Sequence, residues 1–314
     1  MKMNIAIDKQ TSSFMGAELK LSVLLPVYNA MPYLVDAVES ILGQTHSNFE
    51  FLIIDDGSTD SSLDVLKKYA DKDDRIQLIS RENKGIVATR NELLGLARGK
   101  YFAIMDSDDI SYPERLDKQL AFLLNHADYG IVGCRDMLID PEGLPIRIIN
   151  DNSEHDDVDS ANLSFDVFQT LNGYMAVTDK VKAAGGYRDE ILYAEDRDVF
   201  LRMAEVGKIK VFPEVLYAYR QHYTNTCVEK RHEISQYVMR VVQDAYERRG
   251  IPFSNQEPSL DQDISLVQQY QIWAWWALAA GHIKTARKYA KKIIMEDPLQ
   301  ISNWRLLLCT LRGY

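Results

Sequence analysis

Short apolar runs of β type alternate with helical patterns from residue 21 to about residue 135. Strands are predicted at residues 21–27, 49–55, 75–80 and 100–106, and a helix is predicted after each of them. This alternation is typical of a parallel sheet covered by helices, because the connection between two parallel strands must cross a face of the sheet. The sequence therefore predicts an α/β fold whose functional side chains lie where the strands end.

The rest of the sequence predicts a mixed segment and a helical tail. A strand is predicted at residues 129–134, a hairpin followed by a mobile loop at 136–160, a helix at 194–207 and a strand-like run at 208–220. From about residue 228 the pattern is helical. It includes one helix pair of tetratricopeptide type, with a turn at Ala280 and Gly281 and with Pro298 after the second helix. We expect an N-terminal extension at 1–19, an α/β domain at 20–225 and a helical region at 226–314.

Charge is unevenly distributed along the chain. The formal net charge is −10, but residues 226–314 hold 12 basic and 9 acidic residues, whereas residues 1–225 hold 24 and 37. Nucleic acid binds to basic surfaces, so the acidic first part of the chain argues against a nucleic-acid partner. Phosphate chemistry in that part would need a cation from outside the chain.

The cysteines and the apolar runs indicate the cellular compartment of the protein. Cys134, Cys227 and Cys309 lie far apart and form no zinc or disulfide pattern, which favours a reducing cytoplasm. The N-terminus lacks the apolar region of a signal peptide, and the longest apolar run, residues 272–280, is shorter than the ~18 residues of a spanning helix. We therefore predict a cytoplasmic protein that is soluble or peripheral on the inner face of the cytoplasmic membrane.

An acidic cluster directly follows the fourth predicted strand. It consists of Asp106, Ser107, Asp108 and Asp109. Alternate carboxylates on a tight turn can share a hard divalent cation, which leaves positions for substrate phosphate oxygens. The alternative is that these residues only cap the next helix.

A second acidic turn, DDGSTD at residues 55–60, follows the second predicted strand. An Asp there can accept a hydrogen bond from a base or a ribose, and Gly57 allows the sharp turn. The alternative is an ordinary helix-capping turn, since Ser58, Thr59 and Asp60 also suit that role.

Taken in order, seven motifs resemble those of the GT-A glycosyltransferases of family 2. They are LLPVYNA (24–30), DDGSTDSS (55–62), ENKGIVATRN (82–91), MDSDD (105–109), GGYRD (185–189), EDRDVFLRM (195–203) and YRQH (219–222). The resemblance covers about residues 20–225. It implies a Rossmann-like, mostly parallel sheet flanked by helices, to which this chain adds an all-helical C-terminal appendage.

The resemblance also implies a nucleotide-sugar site. Its residues would be Pro26, Val27, Tyr28, Asn29, Asp56, Gly85, Arg90, Asp106 and Ser107. Pro26 and Val27 would lie against the base, Tyr28 would stack on a uracil, and Asp56 would accept the imino hydrogen of that base. Arg90 would reach the diphosphate or the sugar, although a solvated helix face is the alternative for a lone arginine.

The same resemblance implies the catalytic and metal-binding roles. Asp196 would be the general base that takes a proton from the acceptor hydroxyl, with Glu195 beside it; stabilisation of a helix N-terminus is the alternative. Asp106 would bind the ribose or the donor sugar, and Asp108 would be a direct ligand of Mn²⁺ or Mg²⁺. His222 matches a position that some family members use as a further ligand to the metal or diphosphate, although a lone histidine is more often structural.

We therefore predict an inverting, metal-dependent transferase that moves a sugar from a UDP-sugar to a carbohydrate hydroxyl. The expected context is cell-surface polysaccharide assembly, of lipopolysaccharide, capsule or exopolysaccharide. Processive synthases of the family carry a QxxRW motif and membrane helices, which this sequence lacks, so it should add one sugar or a short run.

Two other functions are weighed against this one. A sugar nucleotidyltransferase would show a Gly-rich, Arg-containing loop after the first strand, and VYNAMPYL is not such a loop. A non-catalytic binding module built on the tail is disfavoured because the DSDD, DDGS and ED motifs are all intact.

The tail suggests further partners. In residues 281–295, Ile283, Ala286, Ala290 and Ile293 line one helix face, and basic residues cover much of the rest. Such a helix can lie on an anionic membrane, which would suit a lipid-linked saccharide acceptor. The alternatives are a solvated face of a packed helix pair, a protein partner and a homodimer contact.

Overall fold

A computed structural model describes residues 20–149, 154–164, 171–223, 225, 230–253 and 265–312. These residues form one sheet with helices on both of its faces and a group of helices at the C-terminal end. The predicted N-terminal extension at 1–19 and Cys227 lie outside the described residues.

The first half of the sheet is parallel, as the alternation predicted. Its elements are β1 Leu21–Val27, α1 Leu34–Leu42, β2 Glu50–Asp55, α2 Ser62–Ala70, β3 Ile76–Ser80, α3 Ile86–Leu96 and β4 Tyr101–Ile104. The strands lie in the order β3-β2-β1-β4. Val23 and Leu25 face the core on the α1 side, and Leu24 between them faces the core on the α3 side, because strand side chains alternate. The carboxyl ends of β1, β2 and β4 therefore meet at one edge.

The second half of the sheet is mixed. Its elements are β5 Ile110–Ser111, α4 Arg115–Asn125, β6 Tyr129–Ile139, β7 Pro145–Ile149, α5 His155–Leu163, β8 Met175–Val177, α6 Thr178–Ala183, α7 Glu195–Ala204 and β9 Lys208–Arg220. The full order is β3-β2-β1-β4-β8-β6-β9-β5, with β7 paired to β6. Short β8 lies antiparallel to both β4 and β6, and long β9 lies parallel to β6. This arrangement brings the end of β9 next to the loop after β4.

The hairpin predicted after residue 135 is confirmed, but the mobile loop after it is wrong where the structure describes it. β6 and β7 form the hairpin, and residues 155–163 form α5. Val158 and Ala161, three residues apart, are buried on one face of this helix, and Asp156 and Asp157 favour its N-terminus. The acidic residues that suggested a loop therefore belong to a helix start.

The tail is helical where it is described, as predicted. It contains α8 Arg231–Arg248, α9 Leu266–Ala279, α10 Ile283–Glu296 and α11 Ile301–Arg312. The turn predicted at Ala280 and Gly281 joins α9 to α10, and Gly281 has a φ of +79° that suits glycine. No helix in the described parts of the chain is long and apolar enough to cross a membrane.

The tail packs directly on the β6–β7 hairpin. Leu138 of β6 shares one apolar core with Trp273 of α9 and Tyr289 of α10. In the hairpin turn, the buried carboxylate of Asp140 accepts hydrogen bonds from Lys288 Nζ at 2.5 Å and from Tyr289 Oη at 3.0 Å. The tail thus shares both apolar and polar contacts with the sheet. The domain boundary at residue 225 stays a prediction.

Candidate active site at the carboxyl edge of the sheet

The end of β1 presents one exposed aromatic ring. Pro26 and Val27 are buried in the strand, and the next residue, Tyr28, is half exposed. Asn29 has a φ of +49° and its Oδ1 accepts hydrogen bonds from the backbone N–H groups of Thr59, at 2.7 Å, and Asp60, at 3.3 Å. Asn29 therefore fixes the DDGSTD turn beside the tyrosine ring.

Asp56 lies at the end of β2 and is buried. Its carboxylate accepts the N–H of Lys84 at 2.8 Å and of Gly85 at 2.9 Å, and it pairs with Arg81. Sequence reasoning missed Arg81, whose only signal was a basic residue at the end of β3. Both oxygens of Asp56 thus hold the loop before α3. Oδ1 already accepts from both Lys84 and Arg81, whereas Oδ2 accepts from Gly85 and keeps a lone pair, so base recognition by Asp56 stays a prediction.

Gly57 brings the turn after β2 against the same loop. Its φ is +77°, and a Cβ at this position would lie 2.8 Å from the backbone nitrogen of Asn83. A side chain would clash with backbone there, so only glycine allows the two loops to meet this closely. Gly85, with a φ of +87°, then begins α3.

Arg90 of α3 joins two of the predicted motifs. Its Nη1 lies 2.7 Å from Glu195 Oε1 and 2.5 Å from Asp196 Oδ2, and its Nη2 lies 3.1 Å from Asp106 Oδ1. We call these four residues the Arg90 cluster. Arg90 is almost fully buried, which excludes the solvated helix face weighed from the sequence. In the structure, its guanidinium bridges the end of β4 and the start of α7.

Two carboxyl groups of this cluster, those of Glu195 and Asp106, have raised pKa values. Burial raises the pKa of Glu195 to about 7; Arg90 opposes that shift and Asp196 adds to it. Burial likewise raises the pKa of Asp106 to about 6, again opposed by Arg90. Burial disfavours the charged guanidinium, but Asp196, Glu195 and Asp106 together raise the pKa of Arg90 well above its ordinary value. Arg90 is therefore charged, and it limits how far its neighbours shift.

Replacing Glu195 by Gln is expected to change the pH dependence of stability. A carboxyl group with a raised folded-state pKa contributes stability that is fully present below its unfolded pKa, near 4.5, and that is lost as the pH rises through about 7. The unfolding free energy of Glu195→Gln should therefore increase relative to that of the wild type between about pH 5 and about pH 8. Urea denaturation at several pH values measures this difference.

Glu247→Gln, at an exposed position of α8, is the matched control and should follow the wild type at every pH. If the unfolding free energy of Glu195→Gln also followed that of the wild type at every pH, the raised pKa of Glu195 would be wrong.

The loop after β4 meets the end of β9. Asp108 Oδ2 lies 2.9 Å from His222 Nε2, although 114 residues separate them in sequence. The ring of His222 also lies 4.8 Å from that of Tyr33. Ser107 is partly exposed on the same turn. The structure thus brings together the two residues predicted as metal ligands.

Asp109 and Arg220 hold this loop in place, and sequence reasoning gave neither of them that role. The backbone N–H of Arg220 donates to the buried Asp109 Oδ1 at 2.8 Å, and Arg220 Nε donates to the carbonyl of Asp108 at 2.8 Å. Arg220 also pairs with Asp36 of α1 at 2.8 Å. Asp109 therefore faces the interior and the exposed side of the turn carries Asp108.

A divalent ion at this loop would need donors beyond Asp108 and His222. In the parts of the chain that the structure describes, no three His, Cys, Asp or Glu side chains form a group that could hold a metal ion. Asp106, which alternates with Asp108 in sequence, is paired with Arg90 instead. Among the described residues, the predicted ligands at this loop are one carboxylate and one imidazole.

The start of α7 is held in an unusual conformation. Ala194, just before Glu195, has a φ of +62°, a region that a residue with a Cβ rarely adopts. Two arginines hold the first turn of this helix through the buried carboxylate of Asp198. Arg188 Nη2 lies 2.5 Å from that carboxylate, and Arg202 Nε lies 2.9 Å from it. Strained backbone that the surrounding structure holds in place is common at functional sites. The positive φ of Ala194 therefore independently marks the start of α7 as a candidate functional site.

Comparison with known proteins identifies the family of the chain. The family model "Glycosyl transferase family 2" matches residues 22–193. Putative glycosyltransferase EpsE of Bacillus subtilis is 34% identical over 204 residues, which are 62% of this chain and 69% of EpsE. Chondroitin synthase of Escherichia coli is 30% identical over 231 residues, which are 74% of this chain and 33% of the synthase.

Two solved structures share the fold. S. aureus TarS 1-349 in complex with UDP-GlcNAc has a TM-score of 0.58 at 19% identity, with 93% of this chain and 79% of that chain covered. Mannosyltransferase PcManGT from Pyrobaculum calidifontis in complex with GDP-Man and Mn²⁺ has a TM-score of 0.58 at 16% identity, with 93% and 86% covered. The family match spans more than half of the chain and contains β2, β4, Arg90 and all of β1 except Leu21. The chain therefore belongs to glycosyltransferase family 2 and is a glycosyltransferase with a GT-A fold.

Proposed function

We propose that this protein transfers a sugar from a UDP-sugar to a carbohydrate hydroxyl, with Asp196 as the general base. One observation carries the proposal: Arg90 holds Asp196 beside Asp106, so that the acceptor-side and donor-side motifs meet at one guanidinium. The second oxygen of Asp196, Oδ1, is buried and has no hydrogen-bond partner among the residues that the structure describes. An unpaired buried oxygen calls for a ligand donor, and an acceptor hydroxyl supplies one.

In the proposed reaction, Asp196 Oδ1 takes the proton of the acceptor hydroxyl. The acceptor oxygen forms a bond to the anomeric carbon of the donor sugar, and the bond from that carbon to UDP breaks. Attack from the side opposite the leaving UDP inverts the configuration at that carbon. Arg90 and Glu195 keep the base in place, and the strained backbone at Ala194 fixes where α7 begins.

The end of β1 and the turn after β2 support a uridine nucleotide. The half-exposed ring of Tyr28 offers a face on which a pyrimidine can stack, with Pro26 and Val27 behind it. Asp56 lies in the facing loop, where the remaining lone pair of its Oδ2 can accept the imino hydrogen of a uracil. The UDP-GlcNAc complex of TarS is consistent with this choice.

Asp108 and His222 are the proposed metal ligands. Carboxylate oxygen and imidazole nitrogen 2.9 Å apart fit a divalent ion such as Mn²⁺ or Mg²⁺, whose remaining positions diphosphate oxygens would fill. When bound, such an ion supplies positive charge to the leaving diphosphate. The Mn²⁺ complex of PcManGT supports the same choice. Ser107 and Asp106, on the same turn, would contact the donor.

We further propose that the product belongs to a cell-surface polysaccharide, to which the enzyme adds one sugar or a short run. The match to a chondroitin synthase supports polymer assembly, and the sequence lacks the QxxRW motif of processive enzymes. A panel of UDP-sugars, each incubated with candidate acceptors, would identify the sugar that is transferred.

Metal-dependent nucleotide binding provides the direct test. UDP with Mn²⁺ should raise the melting temperature, because a ligand at 100 times its Kd stabilises the folded state by about 2.7 kcal/mol. Asp108→Asn and His222→Ala should each remove most of this stabilisation, and Asp64→Asn, at an exposed position of α2, should retain it. Equal stabilisation by UDP in EDTA would contradict the metal ligands. Absence of any UDP effect, or an equal effect of GDP, would contradict the uridine site.

A further inference from the structure

The outward face of α11 is apolar. Ile301, Trp304, Leu308 and Leu311 recur at helical spacing and are 84%, 48%, 54% and 57% exposed. The opposite face, which packs on the rest of the tail, includes the buried polar residues Asn303 and Thr310, although a surface helix normally turns its apolar side inward. The inward side also buries Leu306, so α11 is apolar on both sides, and an outward apolar face of this kind indicates an interaction surface.

The surface continues beyond these four side chains. Leu299, in the loop before α11, is 91% exposed, and we call it together with Ile301, Trp304, Leu308 and Leu311 the α11 face. The indole N–H of Trp304 donates to the carbonyl of Pro298 at 2.8 Å. Its one polar hydrogen is therefore satisfied inside the protein, and the ring can enter an apolar medium without losing a hydrogen bond.

Basic residues border the α11 face. Arg305 and Arg312 are exposed and lie four residues after Ile301 and Leu308, so each is one helical turn from an apolar member of the face. Residues 281–312 hold 7 basic and 2 acidic residues. Trp275 of α9, half exposed, lies across a groove from Arg305. Exposed tryptophans beside arginines are typical of the interface between water and a bilayer.

The basic face of α10, which the sequence suggested for membrane contact, is partly used within the protein. Lys288 pairs with the buried Asp140, and Arg287 Nε donates to the carbonyl of Thr310 at 2.9 Å. The apolar residues in the middle of α10, such as Ala290 and Ile293, are buried in the tail, and Met295 near its end is exposed. Most of the exposed apolar surface of the described tail therefore lies on α11 and the loop before it.

We propose that the α11 face docks on the surface of an anionic lipid bilayer, with Trp304 and Leu308 in the region between headgroups and acyl chains and with Arg305 and Arg312 against lipid phosphates. A second copy of the chain suits the face less well. A two-fold contact would place the face on itself and bring the same arginines close together. An anionic bilayer instead attracts those arginines while it covers the apolar side chains.

The test is sedimentation of the full chain with vesicles. One set contains only phosphatidylcholine, and in the other about a third of the lipid is phosphatidylglycerol. We expect binding to the anionic set, and a loss of at least about tenfold in the Trp304→Ser, Leu308→Ser double variant. Arg305→Gln with Arg312→Gln should weaken binding by about fivefold per arginine. A higher salt concentration should also weaken the binding of the wild type. Leu124→Ser, at an exposed apolar position of α4, should bind as the wild type does.

Three results would overturn the proposal. They are failure of the wild type to bind anionic vesicles, binding unchanged in the Trp304→Ser, Leu308→Ser variant, and a concentration-dependent dimer that this variant abolishes. Analytical ultracentrifugation of the wild type and the variant detects the dimer. Circular dichroism of the variants establishes that each retains the helices, so a loss of binding is a property of the face.

Discussion

Replacing Asp196 by Asn is expected to reduce sugar transfer by roughly 10²–10⁴-fold, the usual contribution of a general base. The amide can still accept a hydrogen bond from Arg90 through its oxygen, so the Arg90 cluster should stay assembled. It cannot take the proton of an acceptor hydroxyl. The binding of UDP, measured by thermal stabilisation or calorimetry, should remain close to that of the wild type, while kcat collapses. Steady-state kinetics with a UDP-sugar and an acceptor measures the loss.

Asp198→Asn on the same helix is the matched comparison. Asp198 is fully buried and neutralises Arg188 and Arg202, so its replacement leaves two guanidinium groups without their shared carboxylate. We expect a loss of about 3–5 kcal/mol of stability there, measured by urea denaturation, in contrast to a nearly unchanged stability for Asp196→Asn. Turnover that survives Asp196→Asn within a factor of about three would contradict the assignment of the base, since a general base typically contributes roughly 10²–10⁴-fold.

Replacing Arg90 by Met is expected to destabilise the protein by about 3–5 kcal/mol at alkaline pH, because it removes the cation that three carboxylates share. Without Arg90, the pKa values of Asp106 and Glu195 should rise further, since Arg90 is the group that lowers them. Their protonation at low pH then removes the repulsion. The difference in stability from the wild type should therefore be smallest near pH 5 and largest at about pH 8 and above.

A double-mutant cycle isolates the electrostatic part of this loss. Adding Glu195→Gln to Arg90→Met removes one of the carboxylates that the missing guanidinium neutralised, and it should restore part of the stability. Arg90→Lys keeps the charge but loses the fork that reaches α7 and β4 at once, so we expect an intermediate stability. If the two single substitutions were additive, or if Arg90→Met were as stable as the wild type at pH 8, Arg90 would not hold the site together.

Much of the fold could be predicted because the relevant signals are local. The apolar run of β1 and the helical pattern of α1 are set by neighbouring residues, and the alternation of strand and helix leaves few ways to order the first sheet half. The prediction of a loop in place of α5 was wrong because it, too, relied on local signals. A turn-rich, acidic segment gives a weak local signal, and burial of Val158 against the core decides its helical state.

The sequence by itself determined which side chains stand at the ends of β1, β2 and β4, because position in a strand depends on nearby residues. The tertiary structure decided what those side chains contact. Arg90 meets Glu195 across 105 residues and Asp108 meets His222 across 114, and no local pattern records such a contact. The structure likewise decided which side of α11 faces outward. Periodicity reveals that apolar residues share a face, but only packing against α9 and α10 determines which residues are buried and leaves Ile301, Trp304, Leu308 and Leu311 exposed to a partner.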